Sequence, residues 1–205
     1  DPDIMKCDRD VLLKIAIELR RATKPMVIAC NNMDVEGAFE NFERLKNEFP
    51  SQLLVPCCAE AELALREATK NVLIKYIPGD HDFEIINEEK LNEKQKNALQ
   101  FIKKEVLEKH GSTGVQKVLD IAVFQLLRYV AIFPGGVNKL ADQHGNVLPD
   151  CFLMPPETTA LDFAFRLHTD IGNHFIKAID VKSKRPVGKD YLLKSRDVIE
   201  IMTSK

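Results

Sequence analysis

Two short apolar runs, separated by a single helical stretch, constrain the fold of this chain more than any other feature. Pro25-Met26-Val27-Ile28-Ala29-Cys30 starts at a proline and is apolar without alternation, which predicts a buried parallel strand. Gln52 to Pro56 predicts a second strand. Ahead of the first, Asp8 or Asp10 can cap a helix carrying Val11, Leu12, Ile15, Ala16 and Leu19 at three-to-four spacing. Between the strands, Asp34 or Val35 starts a helix with Phe39, Phe42 and Leu45 on one face. After the second strand, an Ala/Leu-rich helix is expected from Glu60 to Tyr76. Helix, strand, helix, strand, helix is the alternation of a doubly wound α/β sheet.

The chain then changes character. Pro78-Gly79-Asp80 is a turn, and Asn92 to His110 predicts an amphipathic helix with Leu99, Ile102, Val106 and Leu107 apolar. Gly111-Ser112-Thr113-Gly114 breaks it. A further helix, Val115 to Leu127, offers Val118, Leu119, Ala122, Val123 and Leu126 to a core. From Arg128 onward strands and turns dominate. Val130 to Phe133 reads as a strand, Pro134-Gly135-Gly136 as a turn, Gly145-Asn146 as a hairpin-like turn and Cys151 to Met154 as a strand. Thr158 or Thr159 caps a helix over Ala160 to Ala164, and His174 to Val181 and Asp197 to Met202 close the domain. The order implies a compact β-rich domain with one helix packed on it.

Composition narrows the class. The 205 residues are 45% hydrophobic with a formal net charge of −2, enough for one good core or two modest ones. No run of about 18 apolar residues is present, so no helical membrane span is expected. Asp1-Pro2-Asp3 has neither a starting Met nor a signal pattern and reads as the middle of a longer gene product. Five cysteines without a Cys-x-x-Cys point to free thiols in a reducing, cytoplasmic setting rather than to a metal or disulfide framework. Adjacent strand residues face opposite ways, which argues against a joint metal site at Cys57-Cys58.

Two tetrads of chemistry-bearing residues follow the strands. Asn31-Asn32-Met33-Asp34 leaves the first strand, and Cys57-Cys58-Ala59-Glu60 leaves the second. The first resembles the Asn-Lys-x-Asp of GTPases, and Cys58-Ala59-Glu60 resembles their Ser-Ala-Lys, with one helix between them as in that family. Further on, Pro155-Pro156-Glu157-Thr158-Thr159-Ala160-Leu161-Asp162-Phe163-Ala164, running on to His168-Thr169 and Gly172, resembles the signature of the TGS domain. That domain is a ubiquitin-like β-grasp module found in threonyl-tRNA synthetases, certain GTPases and SpoT-type proteins. Asp197 to Ile201 fits its last strand, although Ser195-Arg196 stand where the family usually has glycine.

The whole chain is therefore similar to the C-terminal portion of an Obg/YchF-related, archaeal-type GTPase carrying a TGS domain. The resemblance implies the C-terminal half of a P-loop GTPase domain, α/β, over residues 1–76 and a helical connecting segment over 77–127. It implies an α+β β-grasp TGS domain over 128–205. It also implies guanine-base contacts from Asn31, Asn32, Asp34, Cys58, Ala59 and Glu60, with GTP/GDP and Mg²⁺ in the intact parent. The Asp34 carboxylate would accept from the guanine N1–H and exocyclic amine, a donor pair adenine lacks; helix N-capping is the competing structural role. Asn32 departs from the family, because it lacks the stem that packs over the base and the charge that reaches the phosphate loop. In the family the Ala59 amide reaches the base oxygen.

No Gly-x-x-x-x-Gly-Lys-Ser/Thr occurs in the chain, so no catalytic or metal-binding residue is assigned. His81 and His110 read as solvated, Asp80-His81-Asp82 as a loop, and His168 as a helix-terminal residue. Lys177, Lys182, Lys184, Arg185, Lys189, Lys194 and Arg196 face only Asp180 and Asp190 across residues 177–196, a local +5, against −4 for residues 1–127. The first five of these cations are candidates for RNA or ribosome contact, while Tyr191 alone offers little stacking surface. Neither DNA nor membrane is expected as a partner. The alternative is a stand-alone RNA/ribosome-binding or protein-docking TGS module without nucleotide chemistry.

Overall fold

Asp8 caps α1 (Arg9–Thr23), its carboxylate accepting from the Val11 amide at 2.8 Å. The structure is a computed structural model and describes residues 8–142 and 144–204; the readings that rest on Asp1-Pro2-Asp3 and on Cys7 lie outside them. Two compact units are present, divided between Ala122 and Val123.

In the first unit, β1 (Val27–Cys30) pairs in parallel with β2 (Leu53–Pro56), Val27 opposite Leu53 and Cys30 opposite Pro56. The crossover carries α2 (Ala38–Glu48), and α3 (Ala59–Lys70) follows β2. The third helix ends earlier than its composition suggests. Asn71 and Val72 turn the chain, the latter at φ 57°, and β3 (Ile74–Lys75) then pairs with β4 (Glu84–Ile85). Leu73, just before β3, and Ile74, its first residue, are thereby placed in the core off the helix rather than along its face.

The core of this unit is not centred on the sheet. Leu65 of α3, Ile74, Tyr76 and Leu91 pack with Leu99, Ile102, Val106 and Leu107. The last four come from a helical run of three parts: α4 (Glu93–Phe101), a π-helical stretch Ile102–Leu107, and α5 (Glu108–His110). Asn92 and Gln95 form a reciprocal capping box at its start, satisfying two orphan amides. By contrast α1 buries none of its residues, and both faces of β1 are only partly covered. The expected apolar spacing of α1 is present without anything to receive it.

After Gly111, α6 (Val115–Asp120) leads into a second π-helical stretch, Ile121–Leu126. Of the side chains expected to face a core here, Val118, Ala122, Val123 and Leu126 are partly buried and Leu119 is half exposed, whereas Ile121, which is not among them, is buried.

The second unit is a five-stranded mixed sheet in the order β6-β5-β9-β7-β8, with one principal helix across it. Its strands are β5 (Val130–Pro134), β6 (Phe152–Met154), β7 (Phe175–Asp180), β8 (Arg185–Val187) and β9 (Val198–Thr203). The first and last, β5 and β9, run parallel at its centre. Helix α7 (Ala160–Leu167) is capped by Thr159, which exchanges hydrogen bonds with Asp162, and buries Ala160, Phe163 and Ala164. Phe163 meets Ile132, Ala178 and Ile199 in the core and Phe152 edge-on at 5.8 Å. His168 ends α7 and caps α8 (Thr169–Asn173) by accepting from the Asp170 amide. Pro134 completes β5 instead of turning, and the chain reverses between Gly136 and Lys139. This is an α+β β-grasp arrangement, with β8 an element the sequence pattern did not separate from its loop.

Candidate functional site

Parallel strands end at a common edge, so the residues that follow β1 and β2 emerge side by side. The Cys57 amide donates to the Cys30 carbonyl at 2.8 Å, extending the ladder by one residue, and the Met33 amide donates to the Cys57 carbonyl at 3.1 Å. Met33 itself is buried, and this anchors the first tetrad between its polar members.

Two side-chain links then join the tetrads. Asn31 Oδ1 accepts from the Ala59 amide at 3.0 Å. The Cys58 thiol donates to Asp34 Oδ1 at 3.2 Å. Asn31 thus satisfies an orphan amide of the first turn of α3, and that amide is already committed to Asn31 instead of being open to a ligand. Among the described residues the neighbouring Glu60 amide has no protein partner.

Asp34 does not cap α2. Gly37 is the cap, at φ 78° and without a side-chain bond, after a tight turn in which Val35 donates to the Asn32 carbonyl. The carboxylate is therefore free of the competing structural role and stands half-buried beside Cys58. Asn32 is exposed at φ 63°, a left-handed conformation that asparagine tolerates better than longer residues. Its departure from the lysine of the GTPase motif suits this backbone.

Burial pushes the Cys58 thiol up to about 11, with its bond to Asp34 and the Asp34 and Glu60 charges adding to the shift. Cys57 is likewise pushed up to about 11 by burial and by Cys30. These thiols stay protonated at neutral pH, so Cys58 is a donor to Asp34 and not a nucleophile. Cys30, Cys57, Cys58 and Cys151 are all free.

A buried strut lies behind the second tetrad. Glu62 of α3, 4% exposed, accepts from Thr113 Oγ1 at 2.6 Å, Arg66 Nε at 2.7 Å and Tyr76 Oη at 2.8 Å. Burial alone would raise this carboxyl, but the three donors and the Arg66 charge hold it below the ordinary glutamate range. Thr113 in turn uses its carbonyl to accept from the Cys58 amide at 2.8 Å. Gly114 sits so close to β2 that an added Cβ would lie 1.9 Å from the Pro56 carbonyl oxygen, and its φ is +78°. Sequence reasoning assigned no role to Glu62, Tyr76 or Thr113. The available signal was a glutamate on the apolar face of α3.

Asp34, Cys58 and Glu60 open on a cavity of about 260 Å³. Among the described residues no group of three or more His, Cys, Asp or Glu could hold a metal, and Asp82 is engaged by Lys103 at 2.8 Å. No helix among them is long and apolar enough to cross a membrane. In the second unit, Lys182, Ser183 and Lys184 form the turn between β7 and β8, with Arg185 opposite Asp180 in the ladder. Lys177, Lys182, Lys184, Arg185 and Lys189 are all exposed. Asp180 ties the turn by accepting from the Lys182 amide and the Ser183 hydroxyl, and Lys182 Nζ donates to the Arg196 carbonyl at 2.5 Å.

The chain thus combines a parallel β-α-β edge, at which Asn31 holds the Ala59 amide and Cys58 holds Asp34, with a β-grasp domain. The profile described as "Obg-like GTPase YGR210-like, G4 motif-containing domain" matches residues 29–136, and the TGS domain matches 143–203. The chain belongs to this Obg-like, YGR210-like GTPase family. It is 44% identical over its full length to the uncharacterized GTP-binding protein MJ1332 of Methanocaldococcus jannaschii, covering 51% of that protein. It is similar to a crystal structure of a GTP binding protein from Pyrococcus horikoshii OT3 (TM-score 0.66, 40% identity), covering 100% of this chain and 53% of the other. The Schizosaccharomyces pombe YchF GTPase shares the fold at a TM-score of 0.50 and 15% identity, over 96% of this chain and 49% of that one. The chain thus spans about half the length of the proteins it matches and corresponds to a C-terminal portion.

Proposed function

We propose that this chain is the base-reading and TGS portion of a GTPase that binds GTP and GDP through Asp34. The pair of links Ala59 N–H to Asn31 and Cys58 S–H to Asp34 carries the reading. They hold the carboxylate at the rim of a cavity, oriented by a donor and relieved of capping. Asp34 accepts from guanine N1–H and the exocyclic amine, Glu60 offers its amide to the base oxygen, and Asn31 braces the loop. Residues 1–76 form the C-terminal part of the GTPase domain, 77–127 the helical connection and 128–205 the TGS domain.

Phosphate and Mg²⁺ contacts belong to the part of the intact protein outside this chain, and hydrolysis with them. The uncovered α1 and half-covered β1 support that division, because a two-stranded parallel sheet is ordinarily buried on both faces. The protein is cytoplasmic and associated with translation, its TGS domain engaging ribosome or RNA through Lys177, Lys182, Lys184, Arg185 and Lys189.

Asp34→Asn in the intact protein tests the base assignment. An amide presents a donor where xanthine carries an oxygen in place of the guanine amine. The variant should lose GDP affinity by 10-fold or more, as expected for charge-assisted bonds worth roughly 1.5–3 kcal/mol, and gain affinity for xanthosine diphosphate. Unchanged GDP binding in an equilibrium titration would refute the role of Asp34.

A further inference from the structure

The cavity beside Asp34 has a second wall that neither nucleotide-reading tetrad supplies. Asp34, Cys58 and Glu60 line one side, and Ala98, Phe101 and Ile102 of the long helical run line the other. That run buries Leu99, Ile102, Val106 and Leu107 in the core. Phe101 does not share this fate. It is 47% exposed, and no ring among the described residues pairs with it.

Two features make this placement unlike an ordinary surface phenylalanine. The helix changes from α to π at the very next residue, Ile102, and π turns insert a residue that re-aims neighbouring side chains and recur at functional sites. The rest of the cavity floor includes Ala61 and Ala64, side chains too small to fill the space in front of the ring. Meanwhile Asn32, which stands where a lysine stem would cover the base, is exposed and does not line the cavity. The base would lie uncovered if Phe101 were absent.

We propose that Phe101 is the stacking residue of the nucleotide site, its ring covering the π-face of the purine while Asp34 reads its Watson–Crick edge. This rests on the assignment of the base to Asp34. Stacking is indifferent to base identity, whereas the carboxylate is selective, so the two contributions separate experimentally.

In the intact protein, Phe101→Ala is expected to weaken GDP binding by about tenfold or more, and inosine diphosphate by a similar factor, as for base–aromatic stacking elsewhere. Asp34→Asn, measured in parallel, alters the ratio of GDP to xanthosine diphosphate instead. Phe101→Leu keeps the bulk without the π-face and should lose affinity as well. The chain contains no tryptophan, so Phe101→Trp adds a reporter whose fluorescence GDP should quench. If Phe101→Ala, shown folded by its melting curve, binds GDP as the parent does while Asp34→Asn shifts the ratio, the stacking role is overturned and the base assignment stands. If Phe101→Leu binds as tightly as the parent, bulk alone matters and the proposal likewise fails. If neither position affects binding, both assignments fall.

Discussion

Cys58 carries two properties that pull in different directions chemically and together in structure. It is a thiol at a site where a hydroxyl would make a stronger donor, yet its contact with Asp34 is retained at 3.2 Å. Burial keeps it protonated, with its thiol pushed up to about 11. Thiolate, not thiol, is the reactive species, so Cys58 and Cys57 should resist iodoacetamide at pH 7.5 while exposed Cys151 is modified first. Peptide mass spectrometry across a time course reads the order directly. Early modification of Cys58 would mean that the loop opens and that the Asp34 link is not persistent. Cys58→Ser should preserve the link and bind nucleotide at least as well, whereas Cys58→Ala removes the donor that orients the carboxylate.

At the level of elements, the loop that follows β2 is held by a helix, a turn and a tyrosine acting through one buried carboxylate. Glu62→Gln keeps the shape but removes a charge that three donors surround, and should destabilise the first unit by about 1–3 kcal/mol. The pH dependence has a definite sign. The Glu62 carboxyl lies below the ordinary glutamate range when folded, so its contribution is complete above the unfolded value of about 4.3. It is lost as pH falls through the folded value. Urea midpoints of the parent and Glu62→Gln should therefore converge in acid and separate at neutral pH, and a constant gap would remove the linkage. Gly114→Ala should fail more severely, because a left-handed backbone and a carbonyl oxygen at 1.9 Å from the new Cβ cannot both be accommodated.

These elements also mark what the residue pattern could reveal. Strand pattern and flanking punctuation were enough for β1, β2, the start of the long helix at Asn92 and, to within one residue, the cap of α7, which the sequence left open between Thr158 and Thr159. They were not enough for the end of α3, where apolar residues run on towards Tyr76 but the chain turns at Asn71 and Val72, and Leu73 and Ile74 enter the core beyond the helix. The two tetrads were visible because each follows a strand. Glu62 and Phe101 were not, because a helix periodicity marks the core face and says nothing of a buried charge on it or an aromatic beside it. The π stretches had no local signature at all.

On the scale of the whole chain, the charge asymmetry between the units makes a claim about partners that nucleotide binding does not. The first unit is net acidic, and the exposed cations gather on the β7–β8 hairpin and its flanks. Asp180 spends both oxygens on shaping the turn, which leaves Lys184 and Arg185 pointing their charge at solvent, while Lys182 is partly held by the Arg196 carbonyl. An exposed cationic hairpin of this kind, in the role proposed above, predicts RNA affinity that falls steeply with salt. Each phosphate contact contributes about 0.7–0.9 to the slope of log affinity against log salt. Replacing Lys182, Lys184 and Arg185 by glutamine should therefore reduce the slope by about 2–3 and leave GDP binding unchanged, since the base site proposed above uses none of these residues. Filter binding of a structured RNA at several potassium concentrations measures both the affinity and the slope. An unchanged slope would move the RNA contact off this hairpin. No binding by the parent even at low salt would mean that the β-grasp surface docks a protein, with the cations serving to select an acidic partner.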